Sequence, residues 1–512
     1  MTGLTITPPR EPASPLDLER ATALSDRLAP DYLEFYGLLP LGRQGERVRV
    51  ATWRDEVDPQ ALDDLRFALG GDIELVRGPE HQLRATIRRA YGVEPVTAET
   101  LIAGLGPGRA EAAGDLELPL DDLVQLANEA PVVQLVNLLL LEALEARASD
   151  VHLEGYADGL RVRYRVDGVL QDAPTPPEHL KPAIVSRLKI MADLDIAERR
   201  VPQDGRIRLK LQDRQVDVRV STVPTLHGES VVLRLLDKER GRIALEDLGM
   251  ADDTLGVFTE AIGRPHGIVL ATGPTGSGKT TTLYAAVDRI RTGREKILTV
   301  EDPVEYELPG VAQVPVNEKV GVTFATALRA LLRQDPDVML VGEIRDEETA
   351  EVATHAALTG HLVLSTLHTN DAAGALTRLM DLRVAPYLVA STVEAVLAQR
   401  LVRRVCDGCK RETSPDRAML DAFAVRATEL PQIHLGAGCD ACRGTGFRGR
   451  VGIYELLAID DAIRTELLQR RGAGELRRLA VDQGMRTLRD DGLRLVRAGI
   501  TTPEEVLRAT RG

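Results

Sequence analysis

The stretch Gly273-Pro274-Thr275-Gly276-Ser277-Gly278-Lys279-Thr280 fits the pattern G-x-x-x-x-G-K-[ST]. The apolar residues 268–271 before it predict a β-strand, and residues 281–291 after it predict a helix. Glycines in such a loop let backbone N–H groups turn inward around phosphate oxygens, and the helix N-terminus adds positive potential. We therefore expect Lys279 to reach the β- and γ-phosphates of a nucleoside triphosphate and the Thr280 hydroxyl to ligate Mg²⁺.

Short apolar segments recur after this loop, at residues 297–300, 338–341 and 362–364, with helical patterns between them. Short strands that alternate with helices predict a mostly parallel, doubly wound sheet. Ligands of such a sheet bind beyond the carboxyl ends of the strands. The side chains that follow these segments are therefore expected to lie beside the phosphate loop.

Acidic and histidine side chains stand at these strand ends. Glu343, after the third segment, is the predicted group that orients or deprotonates the attacking water, and His368, after the fourth, is a candidate sensor of the γ-phosphate. Glu301 or Glu305, after the second, is predicted to hold Mg²⁺ through water or to contribute to the same step. His361 is either part of this site or simply a packed or surface histidine.

One common ligand of P-loop enzymes is missing. A strand-end aspartate normally helps to hold the metal, whereas this sequence has Gly342 at that position, and Asp337 lies before the strand. Metal binding is therefore expected to rely on Thr280 and water.

The four cysteines form two C-x-x-C pairs, Cys406 with Cys409 and Cys439 with Cys442. Four thiolates at this spacing are typical of a structural zinc site, which leaves no open position for chemistry. Reduced cysteines in a loop are the alternative, and a redox role is less favoured because two pairs occur together.

Alternating patterns predict further elements on both sides of the core. Residues 160–166 alternate apolar and arginine side chains before the turn signal Asp167-Gly168, which predicts an antiparallel sheet with arginines on one face. Residues 48–52 predict a strand, and residues 59–69 predict a helix capped by Asp58. From about residue 460 the pattern is helical, and Thr502-Pro503-Glu504-Glu505 fits a capping box.

The chain has 512 residues, of which 44% are apolar, so two to four globular domains are expected. Residues 1–10 lack the apolar segment of a signal peptide, and the strongest apolar run, residues 132–141, is shorter than a membrane span. We expect a cytoplasmic protein whose membrane association comes through a partner.

The motifs together carry a family resemblance. They are residues 148–154 (ASDVHLE), residues 199–206 (RRVPQDGR), the phosphate loop, residues 299–305, 340–346 and 360–370, and the four cysteines. From about residue 131 to 457 the sequence resembles the type II secretion system assembly ATPases, the general secretion pathway protein E family. The resemblance implies ATP, Mg²⁺ and Zn²⁺ as ligands, a homo-oligomer of hexameric type, and inner-membrane secretion proteins that dock on the N-terminal domain.

The implied fold class is α/β, with a RecA-like P-loop ATPase core. The expected regions are an α/β N-terminal domain (1–95), a linker (96–120), an α+β antiparallel-sheet middle domain (121–240), the core (241–400), a tetracysteine zinc element (401–455) and a helical C-terminal region (456–512). The resemblance also implies that the middle domain packs over the nucleotide, often from a neighbouring subunit. Its arginines Arg206, Arg219 and Arg234 are candidate phosphate contacts, or else a solvated basic face.

Three other interpretations stay open. A type IV pilus extension motor shares the ATPase and cysteine motifs and differs only in the N-terminal region. A helicase or DNA translocase is compatible with a RecA-like core, but the formal net charge of −14 weighs against nucleic-acid binding. A nucleotide-gated scaffold without turnover is the third.

Overall fold

The computed structural model describes residues 28–44, 47–54, 56–90, 97–104, 130–157, 159–211, 214–237 and 242–511. The chain divides into two compact units, residues 1–106 and 107–512. Among the described residues, no α-helix has both the length and the apolar character needed to span a bilayer.

The first unit is a small α/β fold. Its elements are α1 (Pro30–Tyr36), β1 (Leu38–Gln44), β2 (Arg47–Thr52), α2 (Pro59–Leu69), β3 (Asp72–Arg77), α3 (Glu80–Ala90) and α4 (Ala98–Gly104). The strand β2 pairs antiparallel with β1 and parallel with β3. The predicted strand and helix are both confirmed here, and the Asp58 carboxylate accepts the capping hydrogen bond from the Gln60 N–H at 2.9 Å.

The second unit begins with an antiparallel sheet and two helices. Its elements are α5 (Ala130–Glu145), β4 (Ala148–Tyr156), β5 (Gly159–Val166), β6 (Val169–Asp172), α6 (Lys181–Met191), β7 (Gln203–Leu211), β8 (Arg214–Thr225) and β9 (Gly228–Asp237). The strand order is β6-β5-β4-β9-β8-β7. The turn Asp167-Gly168 has φ of 50° and 85°, as a type I′ hairpin requires. The predicted antiparallel sheet is therefore confirmed.

A mostly parallel sheet organises the rest of the second unit. Its strands are β10 (Gly267–Thr272), β11 (Ile297–Glu301), β12 (Ala312–Pro315), β13 (Val338–Val341), β14 (Leu362–Leu367), β15 (Val393–Val405) and β18 (Phe447–Ala458). The helices around it are α7 (Asp252–Ile262), α8 (Lys279–Ile290), α9 (Phe324–Leu331), α10 (Glu347–Leu358), α11 (Ala372–Asp381) and α12 (Pro386–Thr392). The order is β12-β11-β13-β14-β10-β15-β18, and only the β15–β18 pair of this sheet is antiparallel. The predicted doubly wound core is confirmed.

Three strands of this sheet, β12, β15 and β18, were not predicted from the sequence. The first seven residues of β15 are all buried, so they lack the period-two alternation that marks a half-exposed strand. The composition of β15 gives no clear signal either, since its four valines favour a strand whereas its alanines, leucines and arginines favour a helix. Position in the sheet, between β10 and β18, decides the conformation instead.

The four cysteines come together at the end of β15 and before β18. Their sulfur atoms all lie within 4.8 Å of one another, and the Cys406–Cys439, Cys409–Cys442 and Cys439–Cys442 distances are each 3.8 Å. A tetrahedral zinc ion with Zn–S bonds of about 2.3 Å requires sulfur–sulfur distances of about 3.8 Å. Backbone N–H groups of Gly438, Cys439 and Gly446 point at the sulfurs of Cys409 and Cys442, as thiolate ligands require. The residues present therefore fit a structural zinc ion.

The hairpin and helices of this region complete the second unit. They are β16 (Lys410–Thr413), α13 (Arg417–Phe423), β17 (Ile433–Gly436), α14 (Asp461–Leu468), α15 (Ala473–Asp482), α16 (Leu488–Arg497) and α17 (Pro503–Thr510). The predicted helical tail is confirmed, but the capping box at its last helix is only half formed. Thr502 caps Glu505 N–H, whereas the Glu505 carboxylate bonds Arg403 on β15 and Arg508. The tail is thereby fastened to the sheet by a buried carboxylate.

The division of the chain into six regions stays a prediction. Residues 105–129, which include most of the predicted linker, lie outside the described residues, while α4 occupies part of its beginning. The strands β15 and β18 both cross limits drawn from the sequence, at 400/401 and 455/456.

Replacing Cys406 with serine is expected to release zinc and to loosen residues 400–450. The substitution leaves only three thiolate ligands, and the bonds between zinc and its four ligands contribute to local folding. Metal content measured by mass spectrometry and hydrogen exchange over these residues would show both effects. The exposed Ser414→Ala substitution is the control and should keep the metal. A Cys406→Ser protein with unchanged zinc would contradict a four-cysteine site.

Candidate functional site

The phosphate loop connects β10 to α8 at the carboxyl edge of the sheet. Gly273, Gly276 and Gly278 have φ of 150°, 78° and 90°, a region that side chains with a Cβ rarely adopt. A Cβ on Gly278 would also lie 2.7 Å from Nε2 of Gln399, which comes from the neighbouring strand β15. Glycine at these positions is therefore required by the path of the loop.

Lys279 begins α8 and folds back over the loop. Its Nζ donates to the carbonyl oxygens of Gly273 at 2.7 Å and Pro274 at 3.2 Å. Burial lowers the pKa of Lys279 to about 8, while the Glu343 carboxylate acts in the opposite direction and Arg400 lowers it further. An anion bound in the loop would restore full charge to this ammonium group.

Two hydroxyl groups of the loop bear on ligand binding. The Ser277 Oγ is buried and has no hydrogen-bond partner in the described protein, so its hydroxyl is free to donate to a phosphate oxygen. The side chain of Thr280 is exposed at the start of α8. The loop as built thus fits a polyphosphate chain, with Thr280 available for a metal ion.

Glu343 follows β13 and lies between two positively charged or proton-donating groups. Its Oε1 accepts from Arg345, and its Oε2 lies 3.0 Å from Nε2 of His368, which follows β14. Burial raises the pKa of Glu343, but the hydrogen bonds from Arg345 and His368 outweigh burial and hold the pKa below its ordinary value. The carboxylate is therefore ionised at neutral pH, and both of its oxygens are engaged.

Glu301 is placed differently from Glu343. It is only 3% exposed, and its carboxylate accepts hydrogen bonds from Tyr284 on α8, from Thr299 at 2.5 Å and from Gln313 at 3.1 Å. Burial and the hydrogen bond to Glu301 raise the pKa of Tyr284. In this arrangement Glu301 joins α8 to β11 and β12, and its oxygens are taken up by protein donors.

Glu305 connects the core to the antiparallel sheet. Its Oε2 lies 3.4 Å from Nη2 of Arg219 on β8. Its backbone N–H also donates to the Tyr284 hydroxyl at 3.4 Å. The acidic segment after β11 is thus one of the places where the arginine-bearing sheet contacts the core, and the Asp167 carboxylate, which accepts from the Gly449 N–H at 2.7 Å, is another.

Three arginines stand opposite one another on adjacent strands of that sheet. Arg206 pairs with Arg219, and Arg219 pairs with Arg234. Like charges at directly opposed positions are destabilising. Arg234 is neutralised by Asp150 at 2.9 Å and Arg219 contacts Glu305, but Arg206 has no acidic partner within the described part of the chain. The three line a cleft of about 500 Å³ together with Asp204, so the lining carries a net positive charge that suits an anion.

Other predicted residues fall outside this group. His361 precedes β14 and therefore lies at the opposite edge of the sheet, where its Nδ1 contacts the Ala356 carbonyl oxygen at 2.9 Å. At Gly342, a Cβ would lie 3.3 Å from both the Val300 carbonyl oxygen and the Phe324 ring, so an aspartate there would be crowded. The four cysteines form the cluster described above.

Sequence reasoning missed Arg345, Gln399 and Arg400. Arg345 stands two residues after Glu343 and, through Nη1, lies 3.8 Å from Asp302. Two residues that are two positions apart in a loop follow no helix or strand period, so periodicity could not predict the contact. The closeness in sequence of a cation to a predicted catalytic carboxylate was the one available signal. Gln399 and Arg400 could not be placed because β15 itself was not predicted.

Comparison with known proteins identifies the family. A model of the type II/IV secretion system protein family matches residues 125–508, and a model of the MshEN domain matches residues 9–97. Type II secretion system protein E of Pseudomonas aeruginosa is 48% identical over 90% of this chain and 91% of its own length. Type IV pilus assembly ATPase PilB of Myxococcus xanthus is 44% identical over 94% of this chain and 86% of its own.

A solved structure agrees with this assignment. The crystal structure of the pilus retraction motor PilT with bound ADP aligns with a TM-score of 0.51 at 27% identity, over 73% of this chain and 96% of that one. The resemblance deduced from the motifs is confirmed. The chain belongs to the type II/IV secretion system protein family.

Proposed function

We propose that the protein is the ATP-hydrolysing motor of a type II protein secretion system, which powers pseudopilus assembly to drive export of folded proteins. The observation that carries the proposal is the position of Glu343: an ionised carboxylate at the tip of β13, close enough to influence the charge of Lys279 in the phosphate loop. A triphosphate held by the loop would thus lie beside a group able to orient water.

The loop residues divide the binding of Mg-ATP among them. The backbone N–H groups of residues 273–280, the Lys279 ammonium group and the Ser277 hydroxyl would bind phosphate oxygens, and the Thr280 hydroxyl would ligate Mg²⁺. When bound, Mg²⁺ neutralises developing charge on the transferred phosphoryl group. Within the chain, Lys279 can leave the two carbonyl oxygens that it now contacts, since a phosphate is the stronger partner for a half-desolvated ammonium group.

Glu343 is assigned the role of orienting or deprotonating the attacking water, and His368 that of reporting on the γ-phosphate. Both Glu343 oxygens are occupied by Arg345 and His368, so one of these bonds must open before water can be held. Glu301 is assigned a supporting role, since its carboxylate fixes α8 against β11 through Tyr284. Glu305 remains a candidate for contact with the metal through water.

The arginines of the antiparallel sheet are assigned to the developing negative charge. Arg206 and Arg219, with Arg234 beside them, form a cationic row whose self-repulsion an anion would relieve. An arginine that reaches the transferred phosphoryl group is worth about 10³–10⁵ in rate. In a hexamer this row would serve the nucleotide of a neighbouring subunit.

The cellular assignment follows from the family. We place the protein on the cytoplasmic side of the inner membrane, held there by secretion-platform proteins that bind the N-terminal domain, without nucleic acid and without direct insertion. Pilus assembly is the second candidate, favoured by the similarity to PilB along nearly the whole chain. The two candidate functions can be told apart by disabling the ATPase, because protein secretion stops in the first case and pilus assembly in the second.

Lys279→Ala is expected to abolish ATPase activity, because the phosphates lose their only ammonium contact from the loop. Steady-state phosphate release from the purified protein measures it, with the exposed Lys296→Ala as control. In cells, the same variant should trap exoproteins in the periplasm. Normal exoprotein release accompanied by loss of surface pili would assign the protein to pilus assembly instead, and normal turnover in vitro would reject the ATPase.

Glu343→Gln is expected to lower kcat by about 10²–10⁴-fold, the usual contribution of a general base. Binding of Mg-ATP should persist, since the amide removes the base but not the loop. Calorimetric titration and phosphate release together measure the two effects, and the exposed Glu351→Gln should change neither. Full turnover by the Glu343→Gln protein would show that Glu343 is not needed for hydrolysis and would favour a nucleotide-gated scaffold. Loss of Mg-ATP binding as the only effect would contradict the role assigned to Glu343.

Arg345→Gln is expected to move the acidic limb of the kcat profile to higher pH. Arg345 helps to keep the pKa of Glu343 low, so its loss raises that pKa, and the carboxylate becomes protonated earlier as the pH falls. The pH dependence of kcat at saturating Mg-ATP measures this, with the exposed Arg294→Gln as control. An unshifted acidic limb would mean that the Arg345 contact is not made in the working enzyme.

A further inference from the structure

Arg400 lies on β15 beside the phosphate loop. Its Nη1 is 3.0 Å from the point that a Cβ on Gly273 would occupy, so the guanidinium group adjoins the first residue of the loop. Its Nη2 donates to the Asn370 carbonyl oxygen at 2.9 Å, in the segment that follows His368. Arg400 therefore joins the two segments that would enclose the phosphates.

The hydrogen bonds of Arg400 go to uncharged oxygens. Besides Asn370, it donates to the Gln399 carbonyl oxygen at 3.0 Å. The charges of two acidic residues, Glu455 and Asp371, act on Arg400. Both carboxylates accept hydrogen bonds from other groups: Glu455 from the N–H of Ala372 at 3.0 Å, and Asp371, which caps α11, from the N–H of Gly374 at 2.7 Å. Among the residues that the structure describes, no carboxylate forms an ion pair with Arg400.

A half-buried guanidinium group without an anionic partner is unfavourable, and a second cation makes it more so. Burial lowers the pKa of Arg400, and Arg400 in turn lowers the pKa of Lys279. The two cations thus both lie against Gly273, and neither forms an ion pair within the described residues. Elsewhere in the same sheet region, cations of comparable burial are paired, as Arg403 is with Glu505 at 2.7 Å.

We propose that Arg400 is a phosphate-binding residue, contributed by the same subunit as the loop, that contacts the phosphate chain of the bound nucleotide. The inference rests on the proposed function and extends it to a residue outside the recognised motifs. The ligand is the polyphosphate because the charge to be neutralised lies against Gly273 and beside Lys279. The link to Asn370 then joins phosphate binding to the segment that carries His368.

The test is calorimetric titration of Mg-ATP into the full-length protein and its Arg400→Gln and Arg400→Lys variants. Loss of a charge-assisted hydrogen bond to phosphate is expected to weaken binding by about tenfold or more, and lysine should recover most of the affinity. The nucleotide-free melting temperature of Arg400→Gln should stay within about 2 °C of the parent, because an uncompensated cation contributes little to stability. Arg404→Gln, exposed on the same strand, is the matched control.

Two results would overturn the inference while leaving the proposed function intact. One is unchanged Mg-ATP affinity in Arg400→Gln. The other is a weakened affinity that lysine does not recover, together with a lowered nucleotide-free melting temperature, which would make Arg400 a structural link between carbonyl oxygens. If the parent protein itself bound no Mg-ATP, the proposed function would fail before Arg400 came into question.

Discussion

The parallel pairing of β13, β14 and β10 is the constraint on which the site depends. Because the three strands run in the same direction in adjacent positions, the residues that follow them emerge at one edge of the sheet. Glu343 and His368 thereby come within 3.0 Å of each other, although 25 positions separate them in the chain. The strands β10, β13 and β14 are buried along their whole length, so the core packed on both faces of the sheet holds the Glu343–His368 pair in place.

Several polar and charged groups of the proposed site lack partners of opposite charge or hydrogen-bond partners within the described protein. Lys279 and Arg400 lack anionic partners among the described residues, the Ser277 hydroxyl is buried without a bond, and three arginines oppose one another across β7, β8 and β9. Each feature costs stability in the free protein. Under the proposed function, a bound polyanion would relieve each of them. Glu301 shows the contrasting case, because its carboxylate is fully satisfied within the protein and serves to hold α8 in place.

The sequence predicted those parts of the molecule where local pattern and tertiary position agree. The phosphate loop and strands β10, β11, β13 and β14 could be placed because a short apolar run, a glycine loop and a helix follow one another at regular intervals. The strand β15 could not, since its first seven residues are all buried and carry no alternation, and its alanines, leucines and arginines offset the strand preference of its valines. Arg400 and Gln399 were missed with it, and Glu505 was expected to cap its own helix when tertiary contact with Arg403 claims it instead.

The same strand has a mechanical consequence. Gln399 and Arg400 support the phosphate loop, Arg403 holds the C-terminal helix through Glu505, and Cys406 opens the cysteine cluster one residue after β15 ends. At about 3.3 Å per residue, the path from Gln399 to Cys406 spans at most about 23 Å. The pairing of β15 with β18 shifts register between Arg403 and Val405, so a displacement of the cysteine cluster would reach the phosphate loop through one short segment of chain that contains a single irregularity.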